Sequence, residues 1–139
     1  MSVPMVGTLT VLQYLLGAAN VHLKARLAKN PLPEEPNSLA LTDLTECDFP
    51  GYAPVVDPVF SAPVINELNY AEAVSTPIIW TAGTIVTPQP ITAIYITSNV
   101  DGGPDNLLAV QPVATGVTID EDGQEFVRQV RLMVTDLAV

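Results

Sequence analysis

Between Val21 and Ala28 polar and apolar residues alternate without a break. Val21, Leu23, Ala25 and Leu27 share one side, and His22, Lys24 and Arg26 the other. A period of two marks a half-buried strand, here with a basic outer face turned to solvent or to a partner's acidic patch. Upstream the spacing changes. Leu9, Leu12, Leu15 and Leu16 recur at helical intervals, so residues 8–17 read as a short helix with Thr8 as N-cap and Gly17 as its stop. So short a helix is marginal alone, and its apolar stripe must pack on the body of the domain or on a neighbour. Residues 1–6 read as a free arm or as a strand added to the next subunit.

Beyond Tyr70 the pattern is β throughout. Pro77–Ala82, Ile91–Thr97, Val113–Ile119 and Phe126–Val134 are rich in β-branched and aromatic residues, and the turn Asn99–Gly103 leads into Asn106–Gln111 as a hairpin, with a second turn at Asp120–Gly123. Six to eight short strands at this spacing predict a mainly β fold, a β-sandwich or small barrel, with one short N-terminal helix. Seven of the thirteen prolines fall between Pro31 and Pro63. They predict a long proline-rich connector over 31–65, a polar loop at first and an extended, edge-like segment after Tyr52. The expected organisation is an arm and helix over 1–19 and a single β domain over 20–139.

Composition turns attention to the surface. Of 139 residues, 48% are hydrophobic and only 14% charged, and the mean hydropathy is +0.35. No run approaches the roughly 18 apolar residues of a membrane span, and no Lys or Arg precedes the stretch Val11–Ala19, so neither a membrane segment nor a signal peptide is expected. An apolar, span-free chain suggests a surface covered by other copies or other proteins. Five basic residues against fifteen acidic ones, a net charge of −10, argue against nucleic acid as partner. The single cysteine, Cys47, rules out an intrachain disulfide and fits assembly in a reducing cytoplasm.

Catalytic chemistry has little to stand on. His22 is the only histidine and sits on the polar face of a strand, read as a surface or interface residue; with one Cys and one His, a single-chain structural zinc site is ruled out. Asp120, Glu121 and Asp122 with Glu125 form an acidic cluster without EF-hand spacing, read as a solvated turn. Trp80, Tyr95, Phe126 and Tyr52 are read as core, the competing role being a stacking platform for a sugar ring. Glu46 and Asp48 are the nearest carboxylate pair, with no cleft signal beside them. No catalytic, metal or cofactor site is expected, and an enzyme is the least favoured class.

The connector holds the most distinctive residues of the chain, Leu44-Thr45-Glu46-Cys47-Asp48-Phe49-Pro50-Gly51-Tyr52-Ala53. Pro50-Gly51 predicts a tight turn, proline fixing φ at its first central position and glycine taking positive φ at the second. Phe49 and Tyr52 flank it and are placed to pin the connector on a hydrophobic surface. Together with the helix, the strand Asn20–Leu27 and Lys29-Asn30-Pro31, this run resembles a group of small structural proteins encoded in tailed-phage genomes, over roughly residues 10 to 60. The resemblance implies a virion component, assembled in the host cytoplasm, rather than an enzyme. The expected role is capsid decoration, with the major capsid protein or other virion proteins as partners and a homo-oligomer, most plausibly a trimer, as the assembly. Leu9, Leu12, Leu15, Leu16, Phe49, Pro50, Gly51 and Tyr52 are the expected interface. The alternatives are a tail or neck structural protein and a carbohydrate-binding or adhesion β-sandwich.

Overall fold

A computed structural model describes residues 13, 16–17, 20–32, 39–67 and 70–134. Eleven strands lie within them, β1 (Val21–Ala28), β2 (Val55–Val56), β3 (Val64–Ile65), β4 (Ala71–Val74), β5 (Ile78–Thr81), β6 (Gln89–Pro90), β7 (Ala93–Val100), β8 (Asn106–Pro112), β9 (Thr118–Ile119), β10 (Glu125–Arg128) and β11 (Arg131–Val134), with one 3-10 turn at Leu41–Asp43. The chain is mainly β, and every pairing is antiparallel.

The second half of the chain is one long hairpin folded on itself. β7 pairs with β8, and outside that pair β6 meets β9, β5 meets β10 and β4 meets β11. β1 lies along the other side of β7 over its whole length, from Val21↔Val100 to Ala28↔Ala93. The result is a four-stranded sheet β2-β1-β7-β8, a three-stranded sheet β11-β4-β3, and two separate ladders, β10-β5 and β6-β9. The sheets stay open and do not close into a barrel, which removes that half of the sequence expectation. Strand number also exceeds the expected six to eight. Four of the eleven are two-residue ladders, too short to leave a period in the sequence.

The expected strand 126–134 is two strands. It breaks at Gln129-Val130 because its halves serve different partners, β5 and β4. Ser75 holds the break: its amide donates to the Val130 carbonyl and its Oγ accepts from the Val130 amide, each at 2.8 Å. Of the expected strand 113–119, only Thr118–Ile119 is paired. Gln13, Leu16 and Gly17 have helical backbone, and the chain has left the helix by Asn20. The remaining expectations for that element, Leu9, Leu12, Leu15, the Thr8 cap and the arm 1–6, lie outside the described residues.

The alternation of β1 works as the sequence requires. Leu23, Ala25 and Leu27 enter the main core with Ile94 and Ile96 of β7, Trp80 of β5, Phe126 of β10 and Leu132 of β11. β7 is buried on both faces, which explains its uncharged run Ala93–Thr97. Its second face, with Tyr95 and Ala93, packs under Ala28 and Leu44 in a smaller cluster roofed by Leu32, Leu41, Leu107 and Val110. Leu32, Leu41 and Leu44 of the connector belong to that cluster, while Cys47 and Phe49 join the main core, so the distinctive residues lie against the sheet and not at a distance from it. No helix among the described residues is long and apolar enough to cross a membrane.

Candidate functional site

Residues 45–57 form a strap laid along the outer edge of β1. The strap is fastened at both ends by backbone bonds. The Lys29 amide donates to Thr45 O at 2.9 Å and the Cys47 amide to Leu27 O at 2.8 Å; further along, Val55 and Val56 pair with Ala25 and Lys24, and the Asp57 amide donates to Leu23 O at 2.9 Å. Between these ends the strap leaves the sheet in the excursion 48–54. Pro50-Gly51 makes the tight turn expected, closed by the Tyr52 amide on Phe49 O at 2.9 Å, with Gly51 at φ +87°. The turn is itself anchored, since the Gly83 amide donates to Pro50 O at 2.6 Å.

The excursion leaves the Leu27 amide without a strand partner, and Tyr52 supplies one. Its hydroxyl accepts from Leu27 N at 3.1 Å and donates to Glu46 Oε2 at 2.6 Å. Burial first, then the bond to Glu46, raises the phenol well above the usual tyrosine range, so it is a neutral donor at any physiological pH. Deleting this hydroxyl in Tyr52→Phe orphans a buried amide and a carboxylate lone pair. It is expected to cost about 1–3 kcal/mol, read as a lower urea midpoint at unchanged m-value; an unchanged midpoint would show that water replaces the hydroxyl.

Charge is organised around Arg26. Its Nη1 lies 3.1 Å from both oxygens of Glu46, its Nη2 2.8 Å from Asp105 Oδ2, and its Nε 3.1 Å from Thr97 Oγ1. The guanidinium side chain is only 14% exposed. One cation thus joins the strap, the β7 strand and the β7–β8 turn, the fork geometry letting it serve two carboxylates at once. Lys29 reaches Asp48 at 2.8 Å and His22 reaches Asp101 at 2.9 Å. The expectation of a free basic face on β1 is therefore overturned for Arg26, which is held in the chain's own carboxylates. Gln89 completes the strap, donating to Asp48 Oδ1 at 2.7 Å and accepting from the amides of Asp48 and Phe49 at 2.8 and 3.2 Å.

These bonds set an acid limit. Hydrogen bonds from Lys29 and Gln89 hold the Asp48 carboxyl below its ordinary range, and the bond from Asn99, reinforced by Arg26 and Lys24, does the same for Asp105. A carboxylate with a depressed folded pKa contributes stability that is complete above its unfolded value, about 3.9, and lost as pH falls through the folded one. The thermal midpoint is expected to be flat from pH 7 to 5 and to fall below about pH 4. Asp105→Asn should make that acid limb shallower; an unaltered limb would mean other carboxylates set it.

Of the eight expected interface residues, Leu9, Leu12 and Leu15 are outside the described set. Leu16 packs against the main core, Phe49 is buried in it, and Tyr52 is engaged as above, its ring 5.3 Å from that of Phe49 in an edge-on contact. Of the five described, only Pro50 and Gly51 are exposed. Trp80, Tyr95 and Phe126 are 2%, 3% and 4% exposed, core residues as read from the sequence, and offer no face for a sugar. Cys47 is buried and pushed up to about 12, chiefly by burial, so linking it to another chain would require the strap to open. In the acidic turn Asp122 Oδ1 accepts the Ile85 amide at 2.7 Å, a structural role the sequence did not reveal. Among the described residues no group of three or more His, Cys, Asp or Glu is placed to hold a metal ion. Glu46 and Asp48 face different cations and do not flank a common cleft. Arg26, Asp105 and Gln89 are the residues that sequence reasoning missed, because their partners lie up to 79 residues away and no local period signals them.

The chain matches no protein-family model, no curated protein and no solved structure.

Proposed function

We propose that this chain is a structural protein of a tailed-phage virion, with capsid decoration as its role and tail or neck attachment as the nearest alternative. The observation that carries the reading is how the distinctive connector is used. Leu44, Glu46, Asp48, Phe49, Gly51 and Tyr52 are all spent on clamping a strap to the sheet, a mechanical task rather than a chemical one. Glu46, Asp48 and His22, the groups weighed for acid–base work, lie against Arg26, Lys29 and Asp101, which supports a non-catalytic role. The nested order β4–β11, β5–β10, β6–β9, β7–β8 resembles that of a jelly roll, a two-layer sandwich used by viral shell domains among others, which supports reading the fold as a sandwich of that kind.

A decorating protein needs apolar surface that another protein can cover. Ile79, 52% exposed, faces Val127 across the β5–β10 ladder, and Val64 and Met133 flank Glu72 across β3-β4-β11. Such pairs on a sheet's outer face suit burial against a shell. The test is light scattering coupled to size exclusion, on the purified chain alone and mixed with assembled empty heads. An oligomer that co-elutes with heads is the expected result. A chain that ignores heads would overturn decoration and leave tail or neck attachment.

A further inference from the structure

Asp-Gly occurs twice in this chain, at Asp101-Gly102 and at Asp122-Gly123, and both pairs sit in exposed turns. The dipeptide has a chemistry of its own, because the aspartyl carboxyl and the next backbone nitrogen can close a succinimide ring. Glycine favours the closure, since without a Cβ the attacking nitrogen is unhindered and its backbone is free to turn. In both pairs the glycine has positive φ, +75° at Gly102 and +72° at Gly123, and nothing lies within 4 Å of where its Cβ would stand. By sequence and backbone the two pairs are equivalent.

They differ in how the reacting groups are held. In the β9–β10 turn, Asp122 Oδ1 accepts the Ile85 amide at 2.7 Å and the Gly123 amide donates to Gly83 O at 3.3 Å. Electrophile and nucleophile are thus both tied to the β5–β6 connection. Gln124 stitches the rest of that turn, its Oε1 accepting from the amides of Asp120 and Glu121 at 2.9 and 3.1 Å. In the β7–β8 turn, the Gly102 amide has no partner among the described residues. The bonds that close this turn lie on either side of it, from the Asp101 amide to Asn20 O at 3.1 Å and from the Gly103 amide to Val100 O at 2.7 Å. The Asp101 carboxyl, 68% exposed, has one contact, from Oδ1 to Nε2 of His22 at 2.9 Å, and that side chain is itself 40% exposed. An exposed side-chain contact is released by a rotamer change, whereas the contact of Asp122 with a backbone amide is released only by moving the loop.

We propose that Asp101 is a site of spontaneous backbone modification, cyclising with the Gly102 nitrogen to a succinimide that opens to isoaspartate, and that its two bonds protect Asp122 from the same reaction. In the closure the Gly102 nitrogen attacks Asp101 Cγ and a C–N bond forms. One carboxyl oxygen leaves as water, carrying the amide proton and one proton from solvent. Water then adds to either ring carbonyl. Addition at Cγ restores Asp101; addition at the main-chain carbonyl leaves the chain running through Cβ and Cγ beside a free α-carboxylate. The isoaspartyl turn has one more backbone atom between Val100 and Gly103, so the bond that closes it is expected to open. The inference concerns the chain's own chemistry and stands apart from the virion reading.

The test is incubation of the full chain at neutral pH, folded and in urea, followed by peptide mapping. Electron-transfer fragmentation tells isoaspartate from aspartate at each position, and the succinimide is lighter by one water. Each folded rate is divided by the urea rate at the same site, which removes any preference of the local sequence. The ratio at Asp101 is expected to exceed that at Asp122 at least tenfold. Asp101→Glu, an exposed change whose longer side chain closes the ring far more slowly, should abolish the product at 101 and leave that at 122 unaltered. Equal ratios, or a higher one at Asp122, would overturn the proposal. So would a folded chain that stays unmodified at both sites while the chain in urea reacts.

Discussion

Replacing Arg26 by methionine is expected to lower the unfolding free energy by about 2–4 kcal/mol, the largest loss of any single polar substitution in this chain. The stem of the side chain is kept, so the loss belongs to the guanidinium. Glu46 and Asp105 would each be left as a partly buried carboxylate without its cation, their side chains 32% and 31% exposed. That exposure places the effect below the 3–5 kcal/mol seen when one member of a fully buried pair is removed. Arg26→Lys should recover only part, because a point charge cannot face Glu46 and Asp105 together while also reaching Thr97. Urea unfolding measures the loss. Limited proteolysis measures where it falls: cleavage between residues 39 and 57 should appear before cleavage in β7. A loss below about 0.5 kcal/mol, typical of a surface pair, would show that the carboxylates are adequately hydrated and that the clamp is decorative.

Gly51→Ala is expected to cost about 3 kcal/mol, from two causes that can be separated. A residue with a side chain at φ +87° pays roughly 1–2 kcal/mol for the left-handed backbone. Its Cβ would also stand 2.5 Å from Gly83 N and 2.8 Å from Thr81 O, both backbone atoms that cannot turn aside. Relief requires lifting the turn off β5, which breaks the 2.6 Å bond between Gly83 N and Pro50 O. Gly102→Ala is the control. Its φ is +75° but nothing lies within 4 Å of the added atom, so only the backbone share, about 1 kcal/mol, should appear. Thermal or urea unfolding of the two variants side by side decides the matter. Equal losses would mean the turn moves freely and the close approach of Gly51 to Gly83 carries no weight.

What could be read in advance follows from where each signal resides. β1 was legible to the residue because its period of two is local and one of its faces meets a core. β7 was legible from its β-branched run, and β8 from the apolar run that follows the Asp101-Gly102-Gly103 turn. The two-residue ladders were not, since two residues have no period. The break at Gln129-Val130 was hidden for a different reason: it is imposed by which strands lie opposite, and both halves carry the same kind of residue. The strap shows the same division. Its turn was read from Pro50-Gly51, and the pinning role of Phe49 and Tyr52 from their positions beside it. The Arg26 clamp was misread as a free basic face, because a strand's outer side chains look alike in sequence whether they meet water or carboxylates brought from 20 and 79 residues away. Side-chain acceptors of backbone amides, such as Gln89 and Asp122, leave no trace at all.

The nested hairpin has a consequence in time as well as in space. Apart from β7–β8, hardly any ladder joins near neighbours, and β1 waits for β7 across 71 residues at the Arg26–Thr97 contact. Loop closure of that length precedes any reward in burial, which puts such topologies among slow folders, in milliseconds to seconds. Zipping from the inner hairpin outward is the order with the shortest loop closures, β4–β11 being the outermost of the nested pairs. A chain emerging from the ribosome therefore carries Val21–Ala28 as an unsatisfied, half-apolar strand until β7, which ends at Val100, has been made. During that interval the proline-rich connector beside it is a safeguard, since a segment with Pro50, Pro54 and Pro58 is a poor template for the wrong strand.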